Sequence, residues 1–193
     1  ELMTSATITD RLVALSRALI GRIRGGLAQV NVLVSMFFAG MNGSVVADTA
    51  TVGALVLPAM KKAGYPAAFS AAVTGVSSTI GGIIPPSIMM IVLANATEIS
   101  IASLFAAGIV PGILIGVVIM VINHYFAVKY NFERSDEPFS VRRAGKELYR
   151  SSFALLIPLV LVGSVMGGVA SVVEAGAITA LVALFTGVFV YRT

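Results

Sequence analysis

The sequence predicts an all-α integral membrane protein that contains a re-entrant helical hairpin and a broken transmembrane helix. Three observations predict this fold class. Of the 193 residues, 58% are hydrophobic and 11% are charged, with a mean hydropathy of +0.98, whereas a soluble domain carries about 25% charged residues. The charges fall into a few clusters between long apolar segments. Two of these segments are interrupted by polar residues accompanied by glycine or proline.

Composition also excludes several classes of function. The sequence contains no cysteine, which excludes disulfides, thiolate metal sites and cysteine nucleophiles. The net charge of +4 comes from short clusters between apolar segments, as the positive-inside rule predicts, and does not indicate nucleic-acid binding. Because the chain begins at Glu1 without an initiator methionine or a signal peptide, we expect it to be a fragment of a longer protein.

Residues 1–25 are predicted to contain the end of a preceding helix and an amphipathic helix on the cytoplasmic membrane surface. Apolar residues recur every three or four positions opposite several arginines, which is typical of interfacial helices. Asp10 is the expected N-cap of this helix. A helix within a soluble loop is the alternative.

Residues 26–62 are predicted to form the hairpin. Its apolar segments, Gly26 to Gly40 and Ala47 to Met60, are each too short to cross a hydrocarbon core of about 30 Å. Basic residues precede the first segment, and Lys61 and Lys62 follow the second. If both basic ends face the cytoplasm, the tip must stop inside the membrane. A single kinked span is the alternative, and it would place Lys61 and Lys62 outside.

The rest of the chain alternates between predicted crossings and turns, with every cluster of Lys and Arg on one side. Glu98 marks an external turn, and a short surface helix is expected at Val141 to Tyr149. The predicted segments are a broken transmembrane helix at 63–96 (apolar from Tyr65 to Ala94), a transmembrane helix at 99–128, a cytoplasmic loop at 129–150, and two transmembrane helices within 151–193 (Ser151 to Ala170 and Ser171 to Val190).

The first interruption, from Gly40 to Thr49, joins the two half-helices of the hairpin. Carbonyl groups at the end of the first half-helix carry partial negative charge, and N–H groups at the start of the second carry partial positive charge. These carbonyls, together with hydroxyl or carboxylate oxygens, suit a hard cation such as Na⁺, and the N–H groups suit a substrate carboxylate. Asp48 lies in the first turn of the second half-helix and either binds the cation or caps the helix electrostatically.

The second interruption runs from Ser77 to Ser87. It holds four hydroxyl residues, two glycines that permit unwinding, and Pro85-Pro86, which ends the helical hydrogen-bond ladder. A proline kink, with hydroxyls bonded to preceding carbonyls, is the alternative. Unwound backbone inside a membrane is tolerated only in protein or beside a wet cavity, and paired broken helices build transport sites. The predicted Na⁺ ligands are Asn42, Gly43, Ser44, Asp48, Ser78, Thr79 and Gly82, and the predicted substrate-binding residues are Ser44, Val45, Ala47, Pro85, Pro86 and Ser87.

Two further ionisable residues have less specific roles. Glu174, near the external end of a predicted span, is expected to pack or to cap a helix, with a transport role as the alternative. His124, the only histidine, is expected at the membrane interface. We find no catalytic triad, metal-spaced cluster or phosphate-binding loop, so the sequence predicts a protein that is not an enzyme.

Six stretches together resemble one known family over nearly the whole chain. They are Glu1-Leu2-Met3, Arg24 to Leu33, Gly43-Ser44 with Ala47-Asp48, Pro58 to Tyr65, Ser77 to Gly81 with Ile84 to Ser87, and Ala107 to Gly112. In these stretches the chain resembles the large membrane subunit, called DctM-like or M, of tripartite ATP-independent periplasmic (TRAP) transporters. It departs from the family pattern at Asn42, where serine is commoner, at Gly82, where proline is usual, and at Ser171 to Glu174, where a Ser/Thr-Pro-Thr-Glu pattern is replaced.

The resemblance implies a Na⁺-coupled secondary transporter that imports organic acids such as a C4-dicarboxylate or sialate. It implies Na⁺ as the coupling ion, with no other cofactor, and a multi-pass location in the bacterial inner membrane. The implied partners are a small membrane (Q-type) subunit and a periplasmic binding protein that delivers the substrate. The implied architecture is the first part of an inverted-repeat, elevator-type transporter, with the start of the second repeat at 151–193.

Other functions remain open on the residues alone. An ion channel with a re-entrant pore loop and another ion or anion transporter of related architecture are the alternatives. A membrane scaffold without transport is a third, although a scaffold has no need for two polar helix breaks.

Overall fold

A computed structural model describes residues 8–20, 23–132 and 141–186. In these ranges the chain is all-helical, as predicted, without β-strands. The helices are α1 (Ile8–Ile20), α2 (Gly26–Asn42), α3 (Val45–Lys62), α4 (Ala67–Ser78) with a 3₁₀ turn (Thr79–Gly82), α5 (Ile88–Thr97), α6 (Ile101–Lys129), α7 (Val141–Met166) and α8 (Val172–Phe185).

Two helices of the described ranges are long and apolar enough to cross a membrane. They are Ile101–Lys129 and the Ala144–Met166 part of α7. Helices α2, α5 and α8 are apolar but shorter. Four ranges lie outside the described residues. They are 1–7 and 21–22, within the segment predicted at 1–25; 133–140, within the predicted cytoplasmic loop; and 187–193, which include the end of the predicted span Ser171 to Val190.

The break between α2 and α3 is shorter than the sequence predicts. It consists of two residues, because Gly43 ends α2 in the left-handed conformation (φ 58°) and Ser44 begins α3 as an N-cap. The Ser44 hydroxyl accepts a hydrogen bond from the Ala47 N–H group at 3.4 Å. Since glycine and serine are favoured at these two cap positions, both helices extend further toward the tip than the apolar segments alone indicate.

Two predicted boundaries are wrong. Asp10 lies inside α1 and not at its N-cap, since the helix already includes Ile8. The predicted surface helix and the span that follows it form one continuous helix, α7. Neither glycine nor proline stands between Gly145 and Pro158 to end the helix, and the Ser151 hydroxyl donates to the Arg11 carbonyl at 3.2 Å, which joins α7 to α1.

Helix α2 lies at the centre of the described structure. It packs against α1, α3, α4, α6 and α7, and most of its residues are buried. Phe38, Val30 and Val32 contribute to the main apolar core. A central helix with buried polar residues can hold those residues in fixed positions between several neighbours, which positions the site described below.

Helix α6 shows how far the hairpin extends. Near its C-terminal end, Ala127 contacts Gly25, which precedes α2, and the Met120 carbonyl accepts a 2.8 Å hydrogen bond from the Gln29 side chain. Toward the N-terminal end of α6, the contacts change from the hairpin to the second break. In this order they are Gly116 with Met36 of the hairpin, Gly112 with Ile84, and Gly108 with Ile83 and Met90. The hairpin therefore runs beside α6 only from its C-terminal end to about its middle.

A group of aromatic rings joins the α3–α4 connection to the end of α6. The Tyr65 ring centroid lies 4.7 Å from that of Phe132, and the Phe69 centroid lies 5.1 Å from it. This contact brings Lys62, at the end of α3, and Lys129, at the end of α6, to the same end of the structure. The membrane side on which this end lies stays a prediction.

Candidate ion and substrate site

The two breaks meet directly. The Gly43 carbonyl at the hairpin tip accepts a hydrogen bond from the N–H group of Ile88, the first residue of α5, at 3.1 Å. A methyl group at Gly43 would overlap the Pro86 carbonyl oxygen, and one at Gly81 would lie 3.6 Å from the Ser44 carbonyl oxygen. Only a residue without a side chain permits this approach at Gly43. We call the contact between Gly43, Ser44 and residues 81–88 the break junction.

The second break is unwound and is not a simple kink. Helix α4 ends at Ser78, a 3₁₀ turn follows to Gly82, and residues 83–87 are non-helical before α5 begins. Ser87 caps α5, since its hydroxyl accepts from the Met90 N–H group at 3.4 Å and donates to the Gly82 carbonyl at 2.8 Å. The alternative of a kink is correct only locally, where the Ser77 and Thr79 hydroxyls bond back to preceding carbonyls.

Asp48 is fully buried beside the junction. Its carboxylate lies next to the hydroxyl groups of Ser78 and Ser35, yet neither carboxylate oxygen has a hydrogen-bond partner among the described residues. The Ser78 hydroxyl is also buried and without a partner there. Ser44 supplies the hydrogen-bonding cap of α3, so the Asp48 side chain is not needed for that bond. Buried charges in proteins are normally paired, and this arrangement of oxygens can accommodate a cation.

The other predicted ion ligands occupy different environments. Asn42 and Ser44 are partly buried at the hairpin tip, and Gly82 lies against Val45. Thr79 is exposed, and its hydroxyl donates to the Val76 carbonyl at 2.7 Å. The structure thus brings Ser78 to Asp48 and directs the Thr79 hydroxyl elsewhere. The assignment of these residues to Na⁺ stays a prediction.

The predicted substrate residues lie at the N-terminal ends of α3 and α5. At α5, two of the first three amides are occupied, because Ile88 N–H bonds to Gly43 and Met90 N–H bonds to Ser87. Pro85 and Pro86 are buried against the hairpin side of the junction. At α3, Val45 is partly buried and Val46 is 79% exposed. Of the first three amides of α3, that of Ala47 is occupied, by the Ser44 hydroxyl. The start of α3 therefore has more free amides than that of α5, although Ile88 and Met89 are also exposed.

Four buried side chains that are not among the predicted ligands connect α2 to α4. The Asn31 amide nitrogen donates to the Thr74 hydroxyl at 2.7 Å, and its oxygen accepts from the Ser77 hydroxyl at 3.2 Å. Ser77 also lies 3.2 Å from the Ser35 hydroxyl. A signal for these residues exists in the sequence, since polar residues spaced by four in an apolar helix share one face. Asn31 and Ser35 have this spacing on α2, and Ser70 and Thr74 have it on α4.

Glu174 caps α8. Its carboxylate accepts hydrogen bonds from the Ser171 N–H group at 2.8 Å and from the Ser171 hydroxyl at 2.7 Å, which completes a capping box. Both residues are exposed. The capping role predicted for Glu174 is confirmed by this geometry. The other ionisable residue, His124, is exposed near the C-terminal end of α6.

The fold and the junction describe an all-helical protein with membrane-length apolar helices, in which two helix breaks meet. The protein-family profile for the tripartite ATP-independent periplasmic transporter, DctM component, matches residues 1–193, and the chain belongs to this family. The predicted family is therefore confirmed. The chain is a membrane protein, and its relatives are transporter permeases and not enzymes.

Similar curated proteins come from several bacteria. The C4-dicarboxylate TRAP transporter large permease protein DctM of Pseudomonas aeruginosa is 37% identical over 98% of this chain and 44% of its own length. The sialic acid TRAP transporter large permease protein SiaM of Vibrio cholerae is 35% identical over 100% of this chain and 45% of its own. The 2,3-diketo-L-gulonate TRAP transporter large permease protein YiaN of Escherichia coli has the same identity and coverage. The chain spans about half the length of these relatives.

Proposed function

We propose that this chain is part of the membrane permease of a Na⁺-coupled secondary transporter that imports an organic acid. Membership of the DctM family supports transport, and the named substrates of the relatives, C4-dicarboxylate, sialic acid and diketogulonate, all carry a carboxylate. One observation carries the proposal. It is the junction of two helix breaks beside a buried carboxylate, Asp48, that has no partner in the described structure.

The cation in this proposal lies between Asp48, Ser78 and the hairpin tip. Carboxylate, hydroxyl and carbonyl oxygens are hard ligands, which suit Na⁺. The Gly43 carbonyl belongs to the C-terminal end of α2, where the partial negative charge of the helix also favours a cation. Bringing an isolated carboxylate out of water is costly, and a bound Na⁺ removes most of that cost at Asp48.

The substrate carboxylate in this proposal lies at the N-terminal end of α3, near Val45 and Val46. Free amides and the helix dipole favour an anion at such an end. The described part of the chain places no lysine or arginine in the junction, so within it the backbone is the main source of positive potential. Ser87 and the start of α5 form the opposite wall.

This arrangement couples the two ligands electrostatically. Two negative charges about 8 Å apart repel each other by about 2 kcal/mol at an effective dielectric constant of about 20. An uncompensated Asp48, in the first turn of α3, would therefore weaken carboxylate binding at the same helix end by more than tenfold. Na⁺ at Asp48 removes this repulsion, and by linkage the substrate strengthens Na⁺ binding by the same factor.

The contacts along α6 support a re-entrant hairpin. Gly112, beside the second break, lies about 26 Å from Lys129 and about 17 Å from Ile101 along the helix axis. A tip at this depth ends near the middle of a hydrocarbon core of about 30 Å. We propose that α2, α3, the broken helix and α6 move together, as an elevator-type mechanism requires, in a multi-pass protein of the bacterial inner membrane.

The proposed partners are a small membrane subunit and a periplasmic binding protein that delivers the substrate. The family description, a tripartite periplasmic transporter, supports an assembly with further components. The small subunit would brace the permease in the bilayer, and the binding protein would release the organic acid above the junction.

The proposal is tested by uptake into proteoliposomes that contain the full-length permease and its partners. We expect uptake of one or more organic acids, from a panel supplied with matched binding proteins, to require a Na⁺ gradient. Ser78→Ala should raise the Na⁺ concentration for half-maximal uptake about five- to tenfold, the effect of losing one buried polar interaction. Its neighbour provides the control: Thr79→Ala removes an exposed hydroxyl and should change this value less.

Uptake that is independent of Na⁺ would overturn the coupling. Ion flux that continues without any organic acid would instead favour the channel with a re-entrant pore loop. A larger Na⁺ effect for Thr79→Ala than for Ser78→Ala would mean that the cation lies on the exposed side of α4.

A further inference from the structure

The buried side chains between α2 and α4 form a hydrogen-bond chain with a defined direction. It begins at Thr74, whose only hydroxyl proton goes to the Ser70 carbonyl at 2.9 Å. The Thr74 oxygen must therefore accept in its 2.7 Å contact with Asn31, so the amide nitrogen of Asn31 faces Thr74. The same nitrogen lies 3.7 Å from the Met60 sulfur, a weak acceptor. These contacts orient the Asn31 amide.

The orientation of the Asn31 amide determines where the Ser77 hydroxyl proton points. The amide oxygen faces Ser77 and accepts from its hydroxyl at 3.2 Å. The Thr74 carbonyl, 3.1 Å from the same hydroxyl, is also only an acceptor. Because a serine hydroxyl has one proton, Ser77 has none left for Ser35. In the 3.2 Å contact between the two serines, Ser35 must be the donor.

Ser35 therefore turns its proton away from Asp48 and its lone pairs are left for the carboxylate side. Both residues are fully buried. The Ser35 and Ser78 hydroxyls are neighbours of Asp48, but neither Asp48 oxygen makes a hydrogen bond with a described residue. Two sets of lone pairs that face each other without a proton between them repel. A cation between the two oxygens would be coordinated by both. If the hydrogen-bond chain ran in the opposite direction, Ser35 would donate to Asp48 and no ion would be required there.

We propose that Asn31 is a positioning residue that sets the direction of this chain, so that Ser35 presents its oxygen as a ligand to the Na⁺ ion at Asp48. The proposal rests on the proposed function and adds Ser35 to its ligands. Asn31 acts at a distance, through Ser77 and Ser35, and touches neither ion nor substrate. It also ties α2 to α4 across 43 and 46 positions of sequence, and these are the helices that carry Ser35 and Ser78.

The test measures the Na⁺ concentration for half-maximal uptake, and the Na⁺-dependent rise in melting temperature, of the full-length permease. Asn31→Leu removes the amide at similar volume and should raise the half-saturating Na⁺ concentration about five- to tenfold. Ser35→Ala should have a similar effect. Since Asn31 acts through Ser35, the double variant should be no worse for Na⁺ than Ser35→Ala alone.

A matched control lies on the same helix. Gln29 is also buried and polar, but it bonds to the Met120 carbonyl of α6, away from Asp48. Gln29→Leu should lower the melting temperature without changing the half-saturating Na⁺ concentration. If Asn31→Leu fails to fold, Ser77→Ala should give the same rise, because it removes the acceptor for the Ser35 proton together with the hydroxyl that donates to Asn31.

The outcomes distinguish the positioning role of Asn31 from the Na⁺ site itself. A folded Asn31→Leu variant with unchanged Na⁺ dependence overturns the positioning role while leaving the Na⁺ site in place. If the effects of Asn31→Leu and Ser35→Ala multiply in the double variant, Asn31 acts by another route, and the positioning role is also overturned. A parent permease that responds to no Na⁺ in uptake or in melting overturns both the proposed function and this inference.

Discussion

The break junction makes Gly43→Ala the most informative substitution in the chain. Gly43 has a left-handed backbone (φ 58°), and an added methyl group would overlap the Pro86 carbonyl oxygen and lie 3.2 Å from the Ile88 nitrogen. The three nearest atoms all belong to the backbone of Pro86 and Ile88, so the tip must move away from the second break to make room. The hydrogen bond from Ile88 to the Gly43 carbonyl is then lost.

The cost of this substitution has two parts. Placing alanine in the left-handed region costs about 1–2 kcal/mol. Losing the hydrogen bond between the breaks costs about 0.5–1.5 kcal/mol more, before the overlap itself is counted. The second part affects only the junction, and it should reduce the population of the binding-competent arrangement by roughly three- to tenfold, with the same rise in apparent dissociation constants.

Gly64→Ala isolates the first part. Gly64 also has a left-handed backbone (φ 79°), but an added methyl group there meets no atom within 4 Å. Both variants should therefore carry a similar conformational strain, and only Gly43→Ala should disturb the junction. We expect a lower melting temperature in both, with a large loss of uptake and a raised half-saturating Na⁺ concentration only for Gly43→Ala.

The assay is uptake in proteoliposomes at varied Na⁺ and substrate, with melting temperature measured on the same preparations. The same Na⁺ and substrate dependence of transport in folded Gly43→Ala and Gly64→Ala would refute this prediction. In that case the contact between the breaks does not contribute to the site.

Three further predictions concern charge, topology and capping. Asp48→Asn, which keeps the shape and removes the buried charge, should abolish the Na⁺-dependent rise in melting temperature while the variant stays folded; an undiminished rise would place the cation elsewhere. Cysteines that replace Lys62 and Arg142 should be labelled only from the cytoplasm, and one that replaces Glu98 only from outside; labelling of positions 62 and 142 from opposite sides would exclude the hairpin topology. Glu174→Gln weakens the capping box and should lower the free energy of unfolding by about 0.5–1 kcal/mol with unchanged uptake, whereas a specific loss of uptake would indicate a transport role.

The sequence by itself determined the helical membrane class and the positions of the two breaks. Both follow from local chemistry. Long apolar segments with few charges cannot form a soluble surface, and glycine, serine and proline end helices wherever they occur in the required order. For the same reason, the cap residues Gly43 and Ser44 allowed the first break to be located, although its length was overestimated.

Only the tertiary structure decided what these elements contact. Asn31 meets Thr74 and Ser77, and Gly43 meets Ile88, pairs separated by more than forty positions. Nothing local specifies them, because they depend on how α2 docks between its neighbours. The direction of the Asp48 side chain was open for the same reason. In the first turn of a helix a carboxylate can act as a cap or as an ion ligand. The hydroxyl groups of Ser35 and Ser78, which other helices bring beside Asp48, are specified only by the tertiary structure.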